Sequence, residues 1–196
     1  MIDDISGVVL AGGANRRFNG LIKSNIVLGG KSIISRITDT LDEIFSNIII
    51  VTNTPEAFKG LDKFLVIGDR FRNVGPLGGI HAALMATRCS ACFVFAGDMP
   101  LLNGELIIRQ TEYYRQHNCD ALIPRSADFI EPLHAIYNRK ILDSLEDYLT
   151  QKQGYAVRMF LRTIDVAYFD LLPSDTAGSP FTNINYPEDI DGLKDI

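Results

Sequence analysis

This chain of 196 residues is short of several things, and each shortage excludes a class of protein. It has three cysteines, Cys89, Cys92 and Cys119, and an odd, sparse set describes no disulfide framework. Cys89 and Cys92 have C-x-x-C spacing, but a second pair with metal-ligand spacing is missing. Cys92 also runs straight into the apolar Phe93-Val94-Phe95, so both read as cysteines packed where a helix gives way to a strand. No apolar run approaches the roughly 20 residues of a membrane span. The acidic start Met1-Ile2-Asp3-Asp4 carries no secretory pattern, and a cytoplasmic location is expected. Positive charge is not in excess: a net charge of −5 argues against a general nucleic-acid or membrane-surface binder, while leaving room for a local basic pocket. The histidines, His81, His117 and His134, are isolated and lack zinc-site spacing. His81 is expected as a packed imidazole, His134 as a pocket-lining group and His117 as exposed. Neither the Gly-Lys-Ser/Thr ending of a P-loop nor the dinucleotide pattern G-x-G-x-x-G is present.

What is present is organised around Gly7 to Lys23. Val8, Val9 and Leu10 form a short apolar run of the kind buried on both faces of a sheet. It ends in Ala11-Gly12-Gly13, small enough to let backbone N–H groups approach a ligand, and Arg16, Arg17 and Lys23 follow. Small residues at the end of a first strand, with cations just beyond, make a site for a polyphosphate.

A hydrophobic fraction of 46% and a charged fraction of 22% suit one globular domain with a substantial core. Along the chain, helical spacing over Lys31 to Phe45 precedes a β-branched strand at Ile48 to Val51. Thr52-Asn53-Thr54-Pro55 suggests a capped short helix, and Phe64 to Ile67 a third strand. Asn73 to Gly79 reads as a second glycine-rich loop before a helix from about Ile80 to Thr87. Ala91 to Ala96 is a strand, Leu106 to His117 a helix and Ala121 to Pro124 a short strand. Further on, Phe129 to Tyr137 reads as extended, and Lys140 to Leu149 and Tyr155 to Leu161 as helical. Val166 to Phe169 is a strand, Leu172 to Ser179 a flexible loop, and Phe181 to Asn185 a last strand before a helix at Pro187. This is an α/β chain with a largely parallel sheet.

In such sheets ligands bind beyond the carboxyl ends of the strands. Gly12, Gly13, Asn53, Asp69, Gly78 and Asp98 fall there. Asp98 reads either as a magnesium ligand or as a helix cap, and Asp69 either as a site residue or as a surface partner of Arg70 or Arg72. Lys23 and Arg17 suit charge neutralisation on phosphates, whereas Arg16 reads as solvated.

Leu10-Ala11-Gly12-Gly13 with Arg17 and Lys23 resembles the signature L-A-G-G-x-x-x-R-M-G-x-x-K of the molybdenum cofactor nucleotidyltransferases. The resemblance continues through Asn73 to Ile80, Asp98-Met99-Pro100-Leu101, Glu131-Pro132-Leu133-His134-Ala135 and Phe181 to Asp189. The last of these is similar to F-x-N-x-N-T-P-E-D and narrows the resemblance to the molybdenum cofactor guanylyltransferase family. It implies a single-domain, Rossmann-like three-layer sandwich of nucleotide-diphospho-sugar transferase type over residues 1–196. The nucleotide half would be about 1–100 and the acceptor half about 101–196. The implied reaction joins GTP and molybdopterin into a guanine dinucleotide with release of pyrophosphate. Leu10, Ala11, Gly12 and Gly13 would meet the nucleotide, with Gly78 nearby. Arg17 and Lys23 would hold phosphates, Asn53 and Asp69 the nucleoside, and Asp98 magnesium. Pro132, Leu133, Asn183 and Asn185 would line the acceptor side. Transient contacts with other cofactor-biosynthesis proteins are a further implication.

The chain departs from the family pattern in four residues. Ile22 replaces an acidic residue before the lysine, Phe18 replaces methionine, Asn19-Gly20 replaces a glycine pair, and Gly97 stands where cysteine is frequent. Rival readings are a cytidylyltransferase for the same cofactor, a transferase for another phosphorylated acceptor, and a nucleotide-binding module without turnover. A Rossmann oxidoreductase is a weaker rival because the dinucleotide glycine spacing is missing.

Overall fold

The computed structural model describes residues 1–12, 23–127, 129–151, 154–178, 180–184 and 189, with Lys23 described by its backbone alone. In chain order the elements are β1 (Ile5–Leu10), β2 (Val27–Leu28), β3 (Lys31–Ser32), α1 (Ile33–Asp42), β4 (Ile48–Val51) and β5 (Leu65–Ile67). Then come α2 (Pro76–Ala86), β6 (Ala91–Ala96), α3 (Gly104–Arg115), β7 (Ala121–Arg125), β8 (His134–Asn138), α4 (Leu142–Thr150), α5 (Val157–Phe160) and β9 (Val166–Asp170). Seven strands form one sheet in the order β5-β4-β1-β6-β8-β7-β9. β1 lies parallel between β4 and β6, β5 extends that side, and β9 pairs parallel with β7. Only β8 runs against its neighbours β6 and β7. Its reversal follows from chain length: Ser126 to Leu133 joins β7 to β8, eight residues where a parallel crossover needs about a dozen.

Both faces of the sheet are covered, which is why β4 and β6 are apolar at every position and β1 at all but Ser6. In β6, Phe93 and Phe95 point into one layer with Phe45, Leu106 and Ile107, the layer of α1 and α3. Cys92 and Val94 point into the other, with Leu77, Ile80, Leu145 and Phe160 from α2, α4 and α5. The three-layer sandwich expected from the sequence is therefore the architecture observed. Among the described residues, no helix is long and apolar enough to cross a membrane.

Several boundaries differ from the expected ones for identifiable reasons. Lys31–Ser32 pairs with Val27–Leu28 instead of opening a helix, and the Ser32 hydroxyl caps α1 by accepting from Ser35 N at 3.2 Å. Asn103 caps α3 in the same way, its Oδ1 accepting from Leu106 N at 3.1 Å. The turn before α2 is confined to Asn73–Gly75, where Asn73 and Gly75 have φ of 63° and 64°. Gly78 and Gly79 lie inside the helix, which starts at Pro76. The segment expected as a flexible loop from Leu172 is pinned by a buried acid. Asp175 accepts from Arg109 at 2.5 and 3.3 Å and from the Leu172 N–H at 2.8 Å, closing a 3-10 turn over Pro173–Thr176. Residues 181–184 form no strand and lie against the ends of β6 and β8, with Ile184 bonded to Asp98 and Phe181 on His134, and the expected helix at Pro187 lies outside the described residues.

Candidate functional site

The parallel strands β1, β4, β5 and β6 end at one rim of the sheet, and reversed β8 begins there. The tightest join on that rim is between β1 and β6. Gly97 N–H donates to the Leu10 carbonyl at 3.0 Å, while Ala11 N–H reaches back to Val51 O at 2.9 Å. A Cβ on Gly97 would stand 2.8 Å from Leu10 O and 3.0 Å from Ala11 Cα, so this junction closes only around a glycine. Gly12 is the opposite case. It is exposed, and a Cβ there would meet nothing within 4 Å among the described residues.

Asn53 and Asp69, at the ends of β4 and β5, form a reciprocal pair. The Asn53 amide donates to Asp69 Oδ2 at 3.0 Å, and the Asp69 N–H donates to Asn53 Oδ1 at 3.1 Å. Partial burial pushes the Asp69 carboxyl above its ordinary range, against the opposing pull of Asn53 and Arg72. Of the two surface partners expected as an alternative, Arg70 instead faces Glu146 at 3.4 Å, while the charge of Arg72 does act on Asp69. Leu10 and Asp69 meet over Gly79: a Cβ on that glycine would lie 2.9 Å from Leu10 Cδ2 and 3.7 Å from Asp69 Oδ1. Gly78 has a different reason to be glycine. A Cβ there would come within 2.5 Å of the Phe71 carbonyl, so its smallness serves the packing of α2.

Asp98 follows β6 in a turn closed by Met99 N–H to Ala96 O at 3.3 Å. It is not a helix cap, because Asn103 fills that role. Phe95 stands opposite His134, and Ala96 N–H donates to Leu133 O at 2.9 Å, so the Asp98 turn faces the Glu131–Leu133 turn. Glu131 accepts from Leu133 N–H at 3.0 Å, and the Tyr137 hydroxyl donates to Pro132 O at 2.8 Å. Burial raises the Glu131 carboxyl above its usual range, and the charge of Asp98 adds to the rise. The C-terminal segment arrives at the same turn, with Ile184 N–H donating to Asp98 O at 2.9 Å. Hard carboxylate oxygens on this partly desolvated rim fit a magnesium ion, which takes one or two carboxylates and completes its shell from substrate. Among the described residues, no group of three or more His, Cys, Asp or Glu forms a ready-made metal site.

The structure thus joins Leu10 and Ala11 to Gly97 beside Asp98, pairs Asn53 with Asp69, bonds Leu133 to the end of β6, and bonds Ile184, next to Asn183, to Asp98. Gly13, Arg17, the side chain of Lys23 and Asn185 lie outside the described residues. Glu131 was not among the site residues expected from the sequence, and His134 was expected as a pocket-lining group. Glu131 was passed over although it opens the Glu131-Pro132-Leu133 run, because no spacing rule links it to Asp98; only reversal of β8 does. His134 is wholly buried at the start of β8, against Phe93 and Phe95 of β6 and Phe181 of the C-terminal segment.

The MobA-like NTP transferase domain model matches residues 7–167. The probable molybdenum cofactor guanylyltransferase of Natranaerobius thermophilus is 34% identical, with 97% of this chain and 95% of that protein covered. The molybdenum cofactor guanylyltransferase of Desulfosudis oleivorans is 33% identical, with 97% and 94% covered. The crystal structure of molybdopterin-guanine dinucleotide biosynthesis protein A from Archaeoglobus fulgidus superposes with a TM-score of 0.83 at 30% identity, covering 97% of each chain. With the family model matched over residues 7–167 and near full-length similarity to its members, this chain belongs to the MobA-like NTP transferase family.

Proposed function

We propose that the chain transfers the GMP moiety of GTP to the terminal phosphate of molybdopterin, giving the guanine dinucleotide cofactor and pyrophosphate. The observation that carries this reading is the bond from Ile184 N–H to Asp98 O, which seats the acceptor-side segment on the nucleotide-side carboxylate turn. The names of the full-length relatives support it.

In the reaction, a terminal phosphate oxygen of the acceptor attacks the α-phosphorus of GTP. The bond to the bridging oxygen breaks on the opposite side, and pyrophosphate leaves with the electron pair. The acceptor is its own nucleophile, so the protein's work is positioning and charge neutralisation. The loop that starts at Leu10, Ala11 and Gly12, with Gly13, receives the nucleotide, and Gly12 is its exposed described residue. Asn53 and Asp69 hold each other in place to meet the nucleoside. Lys23 and Arg17 neutralise the phosphates, and Asp98 would hold the magnesium ion. Magnesium, when bound, supplies further neutralisation of the triphosphate charge. Pro132, Leu133, Asn183 and Asn185 line the acceptor side. Gly78 is left out of the nucleotide set because the Phe71 carbonyl accounts for it. The three cysteines are free, which suits work in the reducing cytoplasm.

Equilibrium titration with GTP and with CTP, each with magnesium, tests the base assignment. Tighter GTP binding is expected, whereas tighter CTP binding would reassign the protein to the cytosine dinucleotide reaction.

A further inference from the structure

His134 is wholly buried, yet among the described residues neither of its ring nitrogens has a hydrogen-bond partner. Its neighbours are aromatic: Phe95 at 5.0 Å, Phe181 at 5.1 Å and Phe93 at 5.3 Å, all inclined steeply to the imidazole plane. A neutral imidazole carries one N–H donor and one lone-pair nitrogen. Ring faces accept an N–H weakly, but they give no N–H or O–H donor to a lone pair. The cage therefore serves one nitrogen and leaves the other bare. Phenylalanine or leucine would fill the same space without that penalty, and a buried polar group without a partner is an exception that calls for a reason.

Position supplies the reason. His134 directly follows Leu133 and stands opposite Phe95, at the rim beside the Asp98 turn. Its cover, Phe181, is itself partly exposed and touches Phe129 at 5.7 Å. Phe181 also lies three residues before Ile184, which is bonded to Asp98. The imidazole is thus one ring below the surface, on the acceptor side of the site.

We propose that His134 is a specificity-determining contact for the acceptor: the Phe181 ring moves aside, and the bare imidazole nitrogen accepts a hydrogen bond from an N–H of a planar heterocycle. This rests on the acceptor reading given above and adds the chemical class it selects, a flat ring bearing N–H donors such as a pterin. Flat aromatic walls suit such a ring better than they suit a sugar.

The chain has three histidines, so imidazole ¹⁵N spectra of the intact protein can be assigned to His134 by the signals lost in His134→Phe. In the free protein its acceptor nitrogen is expected to resonate as unbonded. Adding molybdopterin should shift it, and adding GTP with magnesium should not. In kinetics, His134→Phe should raise KM for molybdopterin about tenfold, leave KM for GTP unchanged and not lower the melting temperature. His134→Leu checks the same outcome if phenylalanine overpacks the cage. A nitrogen already hydrogen-bonded in the free protein, by an internal water for instance, would overturn the proposal. So would a spectrum unmoved by molybdopterin, or equal KM values in wild type and both variants. Wild-type protein that makes no dinucleotide at all would instead sink the functional reading, whatever His134 does in the spectrum.

Discussion

The backbone N–H of Ile184 donates to the carbonyl of Asp98 at 2.9 Å, so the last described segment of the chain is fastened to the turn that follows β6. That bond uses the backbone carbonyl of Asp98 and not its carboxylate. The two halves of the candidate site, far apart in sequence, therefore share one residue.

Asp98→Ala should separate these two functions. The backbone bond survives, so circular dichroism and melting temperature should stay close to wild type. Turnover should fall by about a hundredfold or more, as expected when a group that neutralises developing charge is lost. Ordinary activity at ordinary magnesium concentration would show that the carboxylate does not hold the metal.

Asn53→Ala removes both halves of the reciprocal pair with Asp69. Losing about 1 kcal/mol of binding corresponds to roughly a fivefold weaker GTP affinity. Isothermal titration with GTP reads this directly, and an unchanged affinity would remove the pair from the nucleoside site.

Gly97→Ala forces a Cβ to 2.8 Å from the Leu10 carbonyl. The strands must part or the turn must shift, at about 1–3 kcal/mol. A clear fall in the denaturant midpoint is expected, and wild-type stability would mean that the β1–β6 junction is looser than it is drawn.

Asp175→Ala breaks the paired hydrogen bonds from Arg109 and the cap on Leu172 N–H. Chemical denaturation should show a loss of about 2 kcal/mol. Little change would return this segment to the flexible loop expected from its composition.

Burial holds the His134 imidazole down at about 4, from an ordinary 6.5. Between these values the unfolded chain binds the proton and the folded one does not, so this contribution is complete above pH 6.5 and is lost as pH falls toward 4. It amounts to roughly 3 kcal/mol. Urea unfolding of His134→Phe should show a shallower loss of stability across that window than wild type. Parallel curves would place the titration elsewhere.

The apolar runs of β1, β4 and β6 were legible because a strand buried on both faces has no polar positions to blur it. The rim was legible too, since Asn53, Asp69 and Asp98 each follow such a run. The β8 reversal was harder to read, because an apolar run carries no direction and its only signal is the short link from Ser126 to Leu133, and with it went the approach of Glu131 to Asp98. Gly78 and Gly79 misled, because glycine in a first helical turn looks like loop until the Phe71 carbonyl that requires it is seen. Asp175 misled for the opposite reason: among Pro, Ser and Gly it reads as solvated, and its partner Arg109 lies on a helix 66 residues away. The orphan state of His134 depends on rings from β6 and from the C-terminal segment, which no local pattern reveals.

The most direct test is to incubate the purified protein with GTP, molybdopterin and magnesium, following pyrophosphate release together with formation of the dinucleotide. The account predicts equal amounts of both products with GTP, little of either with CTP, and neither with Asp98→Ala. Binding of GTP without pyrophosphate release under any metal condition would contradict it and leave a nucleotide-binding module in its place.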